Sequence, residues 1–178
     1  TNGLTTGGVI VGDADGGAAL SINNASTLNT EYLYVGFGTN DSGRINLAGE
    51  GTKLTVEQDA QIGTDGSTNS IEITAGATLS VDGTLTVGSV SSTDNHVNIA
   101  SGGNLFVNET NDIVVVNADD DNGIAVKGNG TLQVGGDVNT GTLGDLGVSM
   151  SKNANLELGG TLTISKNKID NSLNIIPV

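Results

Sequence analysis

The feature that most restricts the fold is a repeat with a period near 26 residues. Three columns of short apolar-polar-apolar runs recur along the chain. The first column ends in Val11, Val35, Ile62, Val87, Val116 and Met150. The second ends in Ile22, Leu47, Ile73, Ile99, Val126 and Leu158, and the third begins with Leu28, Leu54, Leu79, Leu105, Leu132 and Leu162. Steps are 25, 26, 26, 27 and 32 in the second column and 26, 25, 26, 27 and 30 in the third, so the period loosens only at the end. Self-similarity at such a spacing marks a repeat architecture. Each run alternates with period two, as in Leu20-Ser21-Ile22 and Leu85-Thr86-Val87. That is the periodicity of a strand, and no helical stripe competes with it.

The turns fix the register independently. The residue after the first strand is Gly12, Gly36, Gly63, Gly88, then Asn117 and Ser151. The residue three before each third-strand Leu is Ala25, Gly51, Gly76, Gly102, Asn129 and Gly159. In both columns Asn stands where Gly is lost, and Asn is among the few residues that tolerate positive φ. Both columns therefore read as left-handed corners. The stretch GATLSVDGTLTVGS (76–89) tests this reading, since Asp82-Gly83 between two alternating runs is also a hairpin signal. A hairpin explains those residues alone. A corner that carries the chain from one sheet to the next explains the whole repeat.

These observations predict an all-β fold: a right-handed parallel β-solenoid of about six coils of about 26 residues, with three short strands per coil. Residues 1–178 form one domain. Within it, residues 140–178 read as an irregular last coil with an apolar C-terminal tail. With two Tyr, two Phe and no Trp, the core must be built of Leu, Ile and Val. Strict apolar spacing argues against disorder, despite 28 Gly and much Asn, Ser and Thr. There is no Cys, hence no disulfide or thiol chemistry. No apolar run is long enough to span a bilayer, so no membrane insertion is expected. The start, TNGLTTGG, lacks a signal-peptide pattern, so an exported form would be a mature chain or a fragment.

Stretches such as LYVGFGTNDSGRINLAGEGTKLTV (33–56) and LTVGSVSSTDNHVNIASGGNLFV (85–107) follow the shape L-x-V-G, a polar loop with Gly and Asp, an aliphatic-x-aliphatic run of the I-x-I kind (Ile45-Asn46-Leu47, Val97-Asn98-Ile99), then G-x-x-L-x-V, written G-G-x-L-x-V in the second. They resemble the autotransporter-associated repeats of type V secretion passengers. They are also similar to the PEP-CTERM-associated repeats of exported bacterial proteins. The resemblance covers roughly residues 4–164. It implies a right-handed β-helix at or beyond a bacterial, or other microbial, cell surface. Neither an autotransporter barrel nor a sorting tail is present in the sequence.

Net charge is −14, from 20 acids and 6 bases. Nucleic-acid binding needs a basic footprint, so it is not expected. One acid ridge lies in the loops between first and second strands, including Asp13, Asp41, Asp65 and Asp94. A second follows the third strands, including Glu31, Glu57, Asp59, Asp82, Asp112 and Asp137. Stacked acids call for counterions, and carboxylates suit Ca²⁺. The sharpest candidate is Asp119, Asp120 and Asp121, with Asp94 on the adjacent coil. The plainer reading is a solvated acidic loop, and no other cofactor is implied.

One His and no Cys leave no nucleophile–base–orienter set, so the chain is read as not an enzyme. Paired carboxylates alone are a weak glycosidase signal, because any stacked acids fall at the required distance. An ice-binding face would need T-x-T ranks, and only Thr161/Thr163 among the third-strand outward pairs fits. The expected function is therefore a non-catalytic extracellular structural or adhesive β-solenoid. The alternative is a carbohydrate-binding or carbohydrate-cleaving β-helix. The expected partners are further copies of the chain or a cell-surface glycan. For self-assembly the candidate strand is the tail, with Leu173, Ile175 and Ile176, read either as a local cap or as an added strand on the next subunit.

Overall fold

The computed structural model describes residues 3–13, 16–108, 110–116, 122–139, 148–150, 154–160 and 162–163. They form a parallel β-solenoid with three sheets. The first sheet holds Val9–Val11, Leu33–Val35, Ala60–Ile62, Leu85–Val87, Ile113–Val115, Val138–Asn139 and Leu162–Thr163. The second holds Gly16–Asn23, Asp41–Ala48, Ser70–Thr74, His96–Ile99, Gly123–Val126 and Val148–Met150. The third holds Gly3–Thr6, Thr27–Thr30, Lys53–Val56, Thr78–Val81, Asn104–Val107, Thr131–Val134 and Asn155–Leu158. Each strand pairs only with its counterparts in the coils before and after.

Like stacks on like because most strands carry two inward residues and recur at one spacing. Leu28, Leu54, Leu79, Leu105, Leu132 and Leu156 are consecutive register partners. All six are buried. Ile45, Ile71, Val97 and Ile124 form a parallel column in the second sheet. The buried apolar residues are Leu, Ile, Val and Ala throughout, with no aromatic among them. A thin core between three sheets has no room for a ring, which is why the composition is so poor in them.

Nine of the twelve corner positions behave as the glycine pattern requires; Gly159 is not left-handed, and Asn117 and Ser151 lie outside the described residues. Gly12, Gly36, Gly63 and Gly88 have φ between 72° and 84°. Ala25, Gly51, Gly76, Gly102 and Asn129 are also left-handed. In four of those turns the preceding residue, Asn24, Ala75, Ser101 or Gly128, is left-handed too. Two successive left-handed residues make a mirror-image turn, closed for example by Ala77 N–H to the Thr74 carbonyl at 3.0 Å.

The register departs from the sequence reading after residue 112. Val115, not Val116, is the partner of Val87. The run Ile113–Val116 is four β-branched residues, so alternation cannot set its phase. Val116 N–H bonds the Val87 carbonyl at 2.9 Å, as Gly88 N–H bonds that of Ile62. Val116 thus holds the corner assigned above to Asn117, and it does so without positive φ. Met150 belongs to the second sheet, opposite Val126, and Leu158 to the third, opposite Val134. Leu162 lies in the first sheet, opposite Val138. The two-residue strand Val138–Asn139 is too short to show alternation, and missing it pushed every later column forward by one strand. With it restored, Leu132 and Leu156 are 24 residues apart and the period shortens instead of stretching. The tail with Leu173, Ile175 and Ile176 lies outside the described residues.

Candidate functional sites

Between the first and second sheets runs a ladder of three fully buried asparagines, Asn69, Asn95 and Asn122. Each side-chain oxygen accepts from the coil before. Asn69 Oδ1 takes Gly43 N–H. Asn95 Oδ1 takes Asn69 N–H at 3.2 Å and its Nδ2 at 2.8 Å. Asn122 Oδ1 takes Asn95 N–H at 3.0 Å and its Nδ2 at 2.8 Å. Asn122 Nδ2, the last of the ladder's amides among the described residues, donates to Ser92 O at 2.9 Å and Val116 O at 3.0 Å. The left-handed glycines make room for it: a Cβ on Gly36, Gly63 or Gly88 would run into Asn69, Asn95 or Asn122 respectively. The sequence reading missed this element. Its trace is an Asn two residues before Ile71, Val97 and Ile124, repeated at the coil spacing.

The acids of the corner between the third and first sheets have a comparable task. Asp59 Oδ1 accepts Thr84 N–H at 2.8 Å. Asp112 Oδ1 accepts Asp137 N–H at 2.8 Å. In the loop ridge, Asp41 is buried and its Oδ2 accepts Gly38 N–H at 2.6 Å, closing its own loop. These carboxylates are occupied by backbone donors.

Asp94 has φ 56° and its Oδ1 lies 2.6 Å from His96 Nε2. The other residues of the calcium candidate, Asp119, Asp120 and Asp121, lie outside the described residues. Among the described residues no three His, Cys, Asp or Glu side chains converge. Arg44 is an exposed, outward residue of the strand Asp41–Ala48. The ice-face pair dissolves with the register correction, since Thr163 pairs with Asn139 in the first sheet and Asn155/Glu157 takes its place in the third. No helix among the described residues is long and apolar enough to cross a membrane.

Three of the four aromatic residues gather on one outer surface. Tyr34 is the outward residue of Leu33–Val35, between Ile10 and Gln61 in register. Phe37 meets it edge to face, ring centroids 5.3 Å apart. Tyr32, at the corner just before this strand, lies close enough to Tyr34 for the two phenols to interact electrostatically. Its ring lies over Gly8, where a Cβ would meet Cδ2 at 2.9 Å. The Tyr32 hydroxyl hydrogen-bonds Glu31, and that bond, then the Glu31 charge, hold its pKa above the usual phenol value. Tyr32 occupies the corner position that Asp59, Asp112 and Asp137 hold in other coils.

At the N-terminal end of the described coils, Leu4 is 64% exposed although its register partners are core residues. It lines an open hollow of about 490 Å³ with Val9, Val11, Leu20 and Leu28. No family model, curated protein or solved structure matches this chain.

Proposed function

We propose that the chain is a non-catalytic structural and adhesive β-solenoid, exported to the surface or surroundings of a bacterial or other microbial cell, that stacks end to end with further copies. The observation that carries this reading is the way the solenoid is built: each coil adds to the next by parallel strand pairing in all three sheets, like residue on like. Gly3–Thr6, Val9–Val11 and Gly16–Asn23 each have a strand partner on one side only among the described residues. A copy placed one coil further on would continue all three sheets in register. Its Leu156 would follow the Leu4 column and its Met150 the Ile22 column. Strand addition of this kind is a general mode by which β-sheets extend from one chain to the next. Export is supported by the resemblance of residues 33–56 and 85–107 to autotransporter-associated and PEP-CTERM-associated repeats.

Sedimentation velocity and electron microscopy test the assembly. Rods that lengthen with concentration, and that Leu4→Asp reduces to single units, are the expected result. A wild-type protein that stays monomeric at every concentration removes the end-to-end reading. A second reading, a carbohydrate-binding or carbohydrate-cleaving solenoid, is favoured by the exposed aromatic cluster. Reducing-sugar release separates cleavage from binding.

A further inference from the structure

We propose that Tyr32, Tyr34 and Phe37 form a binding platform for neutral saccharides on the outer surface of the first sheet. The proposal deepens the carbohydrate-binding reading and does not rest on end-to-end assembly: its rings lie in the second coil on the outer side, beside the hollow that Gly8 and Ile10 help to line.

The first support is where the rings are. A chain that builds its whole core from aliphatic residues places Tyr32 at 38% and Phe37 at 42% exposure. Outward residues at the same strand position in later coils are Gln61, Thr86, Val114 and Asn139. Three rings clustered on a wall whose later coils carry only one apolar residue at that position cost solubility and need a reason.

The second support is that the rings are held. Tyr32 rests on Gly8, the one residue type that lets a ring lie directly over the backbone there. Phe37 buttresses Tyr34 edge to face at an interplanar angle of 77°. Rings fixed before a ligand arrives lose little entropy on binding.

The third support is what surrounds them. The Tyr32 hydroxyl and Glu31 carboxylate lie at one border, and the Gln61 amide adjoins Tyr34 at the other. Apolar ring faces bordered by donors and acceptors complement a pyranose, whose C–H face is apolar and whose rim is hydroxylated. Net charge of −14 disfavours uronates, sulfated glycans and other anions, which leaves a neutral sugar. Size separates a sugar from a protein partner. Rings about two-fifths exposed offer on the order of 100 Å² each. With Ile10 the patch reaches a few hundred Å², short of the roughly 800 Å² that each side of a stable protein complex buries.

The two tyrosines are the only ones in the chain and there is no Trp, so near-UV circular dichroism reports on the platform directly. Full-length protein is titrated with cellohexaose, laminarihexaose and chitohexaose, and with oligogalacturonate as the anionic control, by calorimetry and near-UV dichroism. At least one neutral oligosaccharide should bind and perturb the tyrosine signal. Tyr34→Ala and Phe37→Ala should each weaken binding at least tenfold with far-UV dichroism unchanged. Phe106→Ala, on the third sheet, should bind as wild type. Should Tyr34→Ala disturb the fold, Phe37→Ala and Gln61→Ala carry the test. Binding of none of the neutral sugars, binding of oligogalacturonate alone, or binding that ignores the ring substitutions overturns the proposal. So does a wild-type protein whose self-association is lost in Phe37→Ala while no sugar binds, since the patch would then be a protein contact.

Discussion

Two edges of the solenoid solve one problem with different chemistry. Where the chain passes from first to second sheet, the coil-to-coil bonds are completed by Asn69, Asn95 and Asn122, all fully buried. Where it passes from third to first sheet, Asp59 and Asp112 accept the backbone N–H of the following coil in the open. The first position is dry, so a charge there would lose its hydration with no compensating partner. A neutral amide avoids that loss, and it both donates and accepts, so it can pass a chain of bonds from coil to coil. At the wet corner a carboxylate keeps its water and gains a charge-assisted bond. The side chain chosen therefore follows solvent access more than the hydrogen bond to be made.

Exchanging the two chemistries is the strongest way to break this comparison. Asn95→Asp places a carboxylate in the dry ladder and turns a donor toward Asn122 Oδ1 into a second acceptor. It should cost about 3–5 kcal/mol, read as a lowered urea midpoint. Burial raises the pKa of such a carboxyl, so the loss should shrink as pH falls and the group becomes neutral. A loss no larger than that of an exposed substitution would mean that the ladder is wet.

Gly63→Ala tests the same edge through its backbone. Gly63 has φ 75°, and an added Cβ would collide with the Asn95 amide. Left-handed strain of about 1–2 kcal/mol adds to a packing clash of similar size, so a loss of about 3 kcal/mol is expected. The control is Gly102→Ala, also left-handed at 81° but in contact with nothing closer than 3.9 Å. It should lose only the backbone part. Equal losses would show that the glycine column serves conformation alone and not the ladder.

The converse exchange, Asp59→Asn, should be mild. The amide oxygen can still accept Thr84 N–H, and only charge assistance at an exposed corner is lost. A fall of about 1 kcal/mol or less in thermal unfolding is expected. A loss matching that of Asn95→Asp would erase the distinction between wet and dry edges.

How much of this could be read from the sequence depended on whether a residue type has one common meaning. Alternation placed Leu79 and Leu105 inside, and glycine placed the corners at Gly36 and Gly63, because strand pleat and positive φ leave few alternatives. Acids have several meanings. Asp59 and Asp41 look like a counterion site in a list of charges, yet each is bonded to a backbone N–H. Asn69 and Asn95 were hidden by a composition in which Asn is common in every loop. Phase was lost where side chains carry no alternation, at Ile113–Val116, and where a strand is two residues long, at Val138–Asn139. Tyr34 and Phe106 were legible as outward residues, but the meeting of Tyr32, Tyr34 and Phe37 on one surface needs the path of the corner. The two readings that lean most on sequence, the Asp119–Asp121 loop and the Leu173–Ile176 tail, fall where no structure is described.

The smallest effect concerns a corner where the carboxylate meets a phenol and not a backbone N–H. In the second coil the position of Asp59 is taken by Tyr32, and the neighbouring Glu31 hydrogen-bonds its phenol. This bond favours the protonated ring, so Tyr32 titrates above the usual value near 10. The sign follows from the shift: the stabilisation is complete below that ordinary value and fades as pH rises through the raised one. Tyr32 is open to solvent, so the consequence for folding is slight and the titration itself is the better readout. In a Tyr34→Phe background Tyr32 is the only tyrosine, and its tyrosinate absorbance can be followed alone. Glu31→Gln should move that titration down toward the ordinary value, with far-UV dichroism unchanged over the same range. The amide removes the repulsive charge while leaving an oxygen to accept the hydroxyl, so a partial return measures the charge separately from the bond. An identical titration with and without Glu31 would mean that the pair does not form in solution. The Tyr32 end of the saccharide platform would then lose its fixed polar border, and the ring would be held by Gly8 alone.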